Sequence, residues 1–181
     1  MDFIMNNVTI LNFSGRNDGN CAAIAKFVSE RHANANICVY NINENVEPCG
    51  KCNYECLTPG VSCASVNGIR TIMDEAMNSD MIYYIVPNIC GYPSANYFIF
   101  NERLVGYFNM NRELTAKYKS ITKKFIIVSN TESDAFYNAM QQQSAEPMIL
   151  YLKTSKYGKR STAGDILESE QAQADLAAFL E

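Results

Sequence analysis

Residues 8–27, V-T-I-L-N-F-S-G-R-N-D-G-N-C-A-A-I-A-K-F, constrain the fold more than any other part of this chain. The first half is β-branched and apolar (Val8, Thr9, Ile10, Leu11, Phe13) and breaks at Ser14-Gly15. A polar loop follows, Arg16-Asn17-Asp18-Gly19-Asn20, and then Ile24, Phe27 and Val28 fall at helical spacing. A strand that hands over to a helix through a polar, glycine-containing turn can build an anion pocket. The first amides of a helix lack internal partners and lie at the positive end of its dipole, so a phosphate there is stabilised twice. Ser14, Asn17 and Asn20 add neutral donors, and Arg16 adds a planar cation suited to phosphate oxygens. The same residues also describe an ordinary strand-to-helix turn made of asparagine and glycine. The local pattern leaves both readings open.

Composition narrows the classes of function. A chain of 181 residues is expected to form one domain over 1–181, long enough to bury about 70% of its unfolded surface. With 48% hydrophobic and 19% charged residues it reads as a soluble globular protein. Net charge is −4 and no basic helix appears, which argues against nucleic-acid binding. The cluster Lys117, Lys119, Lys123, Lys124 reads as a solvated approach to a strand, with contact to a nucleotide phosphate as the alternative. The most apolar run, residues 81–89, is too short to span a membrane and contains Pro87. The N-terminus has no positive leader region, so the expected compartment is the cytoplasm, and no membrane partner is expected. There the seven cysteines are expected as thiols or metal ligands, not a disulfide framework. His32, the one histidine, is expected near the end of the first helix, where a cation can meet unsatisfied carbonyls. A His-rich metal site is excluded, and chemistry carried by a bound cofactor is favoured.

Along the chain, residues 36–42 read as a short strand. Residues 43–67 are irregular and rich in Cys, Gly, Pro and Asn, a length at which loops are usually functional. Helical spacing returns over 68–78. Residues 81–87, M-I-Y-Y-I-V-P, are continuously apolar, as in a strand covered on both faces. A turn over 88–94 leads to an unusually aromatic helix over 95–108. Residues 125–129 are a further buried strand ending in a polar turn, 130–134. A helix over 135–143, a strand over 147–153, a polar loop over 156–163 and a helix over 165–180 complete the pattern. Five strands alternating with helices predict an α/β fold, a five-stranded parallel sheet of order 2-1-3-4-5 with helices on both faces. The crevice then lies at the ends of strands one and three, 14–20 and 87–93, with residues 130–132 beside it.

At these positions the sequence resembles the flavodoxin-like NAD(P)H-dependent FMN reductases, especially their iron–sulfur flavoprotein branch. Members commonly open with G-S-P-R-x-x-G-N-T after the first strand; here F-S-G-R-N-D-G-N-C keeps Ser14, Arg16, Gly19 and Asn20. P-C-G-K-C (Pro48 to Cys52) is similar to the family's P-C-x-x-C, Pro87 and Gly91 to its P-x-x-x-G turn, and F-N-E-R to its F-x-D-R. The resemblance implies FMN, its phosphate held by Ser14, Arg16, Asn17, Gly19, Asn20 and Cys21. It places the ring against Pro87, Asn88, Ile89, Cys90 and Gly91 on one side and Ser129, Asn130 and Thr131 on another. Two departures imply modest affinity: Cys21 replaces the usual threonine hydroxyl, and Ile89 replaces the aromatic common in the turn after strand three. No catalytic side chain is assigned.

Cys49, Cys52, Cys56 and Cys63 form C-x2-C-x3-C-x6-C, compact enough to suit a 4Fe–4S cluster. Zinc suits this spacing less well, and free thiols are the other reading. Cys90, beside the expected ring, reads as a reactive thiol or as a small apolar filler. The expected function is that of an FMN-dependent oxidoreductase passing hydride from NAD(P)H to a second acceptor, with a cluster as a further electron path. A flavodoxin-like electron carrier without its own substrate is the alternative, and a regulatory protein on the same fold a third. The aromatic helix and the resemblance together predict a homodimer or homotetramer; the alternative is that this helix is simply core.

Overall fold

A computed structural model of the protein describes residues 5–50, 52–61, 63, 67–131 and 133–181. Five strands form a parallel row: β1 (Asn7–Asn12), β2 (Asn36–Asn41), β3 (Met81–Ile89), β5 (Thr122–Ser129) and β6 (Met148–Lys153). Their order is β2-β1-β3-β5-β6, the predicted arrangement, while the two-residue β4 (Tyr92–Pro93) pairs antiparallel with the end of β3. The helices are α1 (Asn20–Arg31), α2 (Ile42–Asn45), α3 (Asn67–Ala76), α4 (Ala95–Phe108), α5 (Arg112–Ser120), α6 (Asp134–Met140) and α7 (Glu170–Leu180).

The period-two alternation of the strands divides the interior into two cores. Val8 and Ile10 of β1, Tyr83 and Ile85 of β3, and Ile126 and Val128 of β5 pack with Ile24 and Val28 of α1 and Leu176 of α7. The intervening residues Leu11, Ile82, Tyr84, Val86, Phe125 and Ile127 pack with Ile72, Met73, Phe100, Tyr118 and Phe136 on the other face. Both faces of β3 and β5 are therefore dry, which is why these strands read as unbroken apolar runs. The aromatic helix α4 spends Tyr97, Phe100 and Leu104 on this second core and leaves Phe98 and Val105 exposed.

Three expectations need correction. A helix absent from the sequence reading, α5, occupies residues 112–120; its apolar face is little more than Leu114 and Tyr118, too sparse to register as periodicity. Asn111 caps it, its side chain accepting from the Leu114 amide at 3.0 Å. The lysine cluster is not a uniformly solvated approach to a strand. Lys117 and Lys119 lie on α5, but Lys123 and Lys124 are buried within β5. Lys123 donates to the carbonyls of Tyr118 and Ile121, closing the end of α5, and Lys124 donates to the carbonyls of Phe179 (2.7 Å) and Leu180 (3.1 Å) at the end of α7. Each is a cation set on the negative end of a helix. His32 does stand at the C-terminal cap of α1, but its Nε2 is 2.8 Å from the Tyr83 hydroxyl. Burial first, and then Lys124, lower its pKa, so the expected imidazolium on helix carbonyls is disfavoured.

Lys123 carries a pH signature. It is 2% exposed, and burial followed by repulsion from Lys119 pushes its pKa down to about 8. Below pH 8 both folded and unfolded chains hold this proton, and the native state bears the cost of a buried cation. As pH rises through 8 toward the unfolded value the native state sheds its proton first, so this group's penalty is relieved. Buried Cys21, whose thiol is pushed up to about 12, works in the opposite sense because the unfolded thiol ionises first. The comparison with Lys123→Met isolates the lysine. Between pH 7 and 9 the wild type should gain about 1 kcal/mol relative to that variant in urea titrations. Parallel pH profiles would contradict this.

Candidate functional site

The carboxyl ends of β1, β3, β5 and β6 converge where the order of the sheet reverses, and four loops meet there. The first is residues 13–19. Asn12 shapes its entry: its side-chain carbonyl accepts from the Ser14 amide at 3.0 Å, and its amide donates to Asn41 at 2.9 Å. The Phe13 carbonyl is held from the far side by the Ser94 hydroxyl (2.9 Å) and the Asn96 amide (3.2 Å), which open α4. With the Phe13 amide donating to the Ile85 carbonyl at 2.9 Å, the loop is anchored to β2, β3 and a second helix before it reaches α1.

Helix α1 begins without a cap. Gly19 stands at the N-cap with extended backbone and no side chain to fold back, and the first turn has no acidic residue. The first helical bond runs from the Ala23 amide to the Gly19 carbonyl at 3.1 Å, leaving the amides of Asn20, Cys21 and Ala22 without intrahelical acceptors. Ser14 accepts from the Arg16 amide at 3.1 Å and keeps its hydroxyl hydrogen to donate.

The side chains of this loop divide their work differently from the sequence expectation. Arg16 donates to the Thr162 carbonyl at 2.8 Å and pairs with Asp18 at 3.3 Å on the surface. Asn17 donates to Glu44 at 2.7 Å. Cys21 turns its thiol into the core beside Ile24, leaving only its amide toward the loop. Asn20, 2% exposed, donates to the carbonyls of Arg160 (3.0 Å) and Ser161 (3.1 Å) and accepts from the Ile166 amide (3.0 Å). Arg16 is offset by Asp18 and Glu44, so the attraction for an anion here comes chiefly from backbone amides.

The second loop is a two-residue hairpin. Strand β3 runs two residues past Pro87, and Cys90 (φ 54°) and Gly91 (φ 89°) turn the chain back so that Ile89 faces Tyr92. Two consecutive left-handed residues are the requirement of this turn type, and Cys90 meets it at the cost of strain that glycine would not bear. Ile89 is 56% exposed and Tyr92 61%. Directly opposed residues share a face of a ribbon, so this hairpin presents an isoleucine and a tyrosine side by side.

Asn88 fastens the hairpin to the third loop. Its amide donates to the Ser129 hydroxyl at 2.6 Å and to the Thr131 carbonyl at 3.2 Å, while its carbonyl accepts from the Gly91 amide at 2.7 Å. Ser129 also accepts from the Thr131 amide at 2.9 Å. Asn130 accepts from Thr154 and donates to Ser161 at 3.4 Å. Glu132, part of the expected 130–132 turn, lies outside the described residues.

The fourth loop, residues 154–165, was legible only as a polar connection. It closes the seam from outside: Asn20 grips its backbone, and Gly164 (φ 78°) lies so close that an added Cβ would stand 2.6 Å from the Asp18 carbonyl oxygen. A glycine in G-D after a run of small polar residues was the available signal, but nothing local says what it must approach. Tyr92 was also missed, because a two-residue strand leaves no periodicity.

The cysteine loop lies across α4. The Cys49 amide donates to Glu102 at 3.0 Å, and Cys56 and Cys63 rest beside Gly106. Burial raises the Cys56 thiol, as do, more weakly, Cys63, Cys52 and Cys49. Among the described residues no three side chains of His, Cys, Asp or Glu come together so as to hold a metal ion. The expected 4Fe–4S set of Cys49, Cys52, Cys56 and Cys63 is not assembled in this arrangement, because ligation requires sulfurs converging on one centre. Among the described residues, no helix is long and apolar enough to cross a membrane.

No protein-family profile matches the chain, and no curated protein does at the sequence level. Solved structures do. A putative quinone reductase from Klebsiella pneumoniae matches with TM-score 0.64 at 12% identity, over 97% of this chain and 83% of that one. The flavoenzyme NAD(P)H:(acceptor) oxidoreductase FerB from Paracoccus denitrificans matches with TM-score 0.61 at 12% identity, over 97% and 95%. A flavodoxin, WrbA-like protein from Agrobacterium tumefaciens matches with TM-score 0.51 at 14% identity, over 97% and 95%. At such identities the likeness establishes the architecture: the chain has a flavodoxin-like fold.

Proposed function

We propose that this protein is an FMN-dependent oxidoreductase that draws hydride from NADH or NADPH. The observation that carries the reading is the uncapped start of α1 at the switch point of the sheet. Its first three amides have no intrahelical acceptor, among the described residues no side chain accepts from them, and no acidic residue in the first turn repels an anion. The donor set fits a phosphate monoester: the amides of residues 20–22, the Ser14 hydroxyl and, at the rim, Arg16. The names of the structural neighbours, a flavoenzyme NAD(P)H oxidoreductase and a quinone reductase among them, point the same way.

Bound flavin would supply a ring able to accept hydride and pass electrons on. The chain's own residues bind and orient. Gly91, held by Asn88, sets the hairpin that offers Ile89 and Tyr92 as an apolar wall, and Tyr92 provides the aromatic surface that Ile89 lacks. Ser129 and Thr131 fix the opposite rim through their mutual bonds and those from Asn88, and Asn130 ties that rim to Thr154 and Ser161. No acid–base side chain is required for hydride transfer. The exposed Phe98, Ile89 and Tyr92 fit burial by a second copy of the chain in a homodimer or homotetramer. No electron path through the cysteine loop is included, since among the described residues no three ligand side chains are placed to hold a metal ion.

Anaerobic stopped-flow mixing of the FMN-loaded protein with NADH and with NADPH tests the reading. Flavin absorbance should bleach within seconds with at least one nucleotide, the range of ordinary enzyme turnover. Reduction taking hours with both would favour a carrier without its own substrate.

A further inference from the structure

The cysteine loop supports a chemistry other than metal ligation. Gly106 of α4 is the surface on which two of its cysteines rest. A Cβ built at Gly106 would stand 3.1 Å from the Cβ of Cys63, 3.4 Å from its Sγ, and 3.9 Å from the Cβ of Cys56. Two Cβ atoms that close to one point lie at most about 7 Å apart, and closing a disulfide draws them in to about 3.5–4.5 Å. Both residues are half-buried free cysteines. Arg103, one turn earlier on α4, is 5% exposed and places Nη1 4.0 Å from the Cys63 sulfur. Among the described residues no carboxylate forms an ion pair with it. A buried guanidinium whose described contact is a sulfur is suited to the negative charge that thiol–disulfide exchange develops there.

We propose that Cys56 and Cys63 are a dithiol that closes to an intramolecular disulfide beside Gly106 on reaction with a low-molecular-weight disulfide. The Cys63 sulfur attacks the small disulfide, breaking its S–S bond and releasing one small thiol. The Cys56 sulfur then attacks the Cys63 sulfur of the mixed disulfide, forming the protein bond and releasing the second small thiol. The protein loses two electrons and two protons, both carried off by the two thiols released. The pairing differs from the C-x2-C pair that sequence proximity suggests: Cys63 and Cys56 supply the atoms nearest a Cβ at Gly106, and of the other cysteines Cys63 acts most strongly on the Cys56 thiol. It is independent of the flavin reading.

The experiment is anaerobic incubation of the reduced protein with oxidised glutathione, alkylation of residual thiols, and mass mapping of linked peptides. The expected product is a dominant Cys56–Cys63 bond, retained in Cys49→Ser and Cys52→Ser. Cys56→Ser should instead trap glutathione on Cys63, and Arg103→Leu should slow closure about tenfold. A dominant Cys49–Cys52 bond, or stable glutathione on Cys63 in the wild type, would overturn the proposal.

Discussion

Gly19→Asp should stabilise the apoprotein and abolish tight FMN binding. Gly19 is the N-cap of α1, its extended backbone is open to any residue, and an added Cβ would meet nothing nearer than Arg16 Cβ at 3.8 Å. An aspartate there can fold back onto the unpartnered amides of α1, the ordinary capping bond, and bring a negative charge to the positive end of the dipole. The apoprotein should gain about 0.5–1 kcal/mol, a few tenths from the cap and the rest from the charge at the dipole, read as a rise in urea midpoint at unchanged slope. The same carboxylate occupies the position assigned to the phosphate. Loss of two charge-assisted bonds, with repulsion added, should weaken FMN by about a hundredfold or more in fluorescence titration. A merely structural turn would show the first effect without the second. Unchanged FMN affinity in a stabilised variant would remove the phosphate from this position.

Asn20→Ala should lower stability and FMN affinity together. Asn20 matches a phosphate-loop asparagine in sequence, yet its side chain is spent on Arg160, Ser161 and Ile166. Truncation strips two carbonyls and one buried amide of their partners and frees residues 160–166 from the loop that precedes α1. The expected cost is about 2–4 kcal/mol of stability, or roughly 5–15 °C in melting temperature. FMN affinity should fall as a consequence, because residues 14–19 lose the packing of Gly164 against Asp18. If Asn20 acted only as a phosphate donor, the apoprotein would melt at the wild-type temperature while FMN affinity dropped.

These two residues also show what was legible in the sequence. Strand order was readable because β1, β3 and β5 are buried on both faces and announce themselves as apolar runs, while α1 and α7 carry regular spacing. The strand-to-helix handover on which the proposed anion pocket rests followed from Ser14-Gly15 and Gly19 breaking the pattern. The division of labour among the side chains of this loop was not readable. Whether an asparagine faces a ligand or a loop 140 residues later depends on tertiary approach, and Asn20 meets Arg160 at just that separation. Lys123 and Lys124 misled for the same reason: in a linear reading they extend a basic cluster, whereas alternation along β5 sends each into a different core, onto the end of a different helix. The hairpin at Cys90-Gly91 was hidden by its brevity. The cysteine spacing signalled proximity correctly around Cys56, but spacing cannot say whether sulfurs converge.

The central claim is that backbone amides at the start of α1 hold the phosphate of a flavin nucleotide. Its most direct test is the ratio of affinities for FMN and riboflavin, measured on the same apoprotein by quenching of flavin fluorescence. The two ligands share the ring and differ in the phosphate. FMN should bind about a hundredfold or more tightly than riboflavin, the worth of two charge-assisted bonds. Equal affinities would contradict the account.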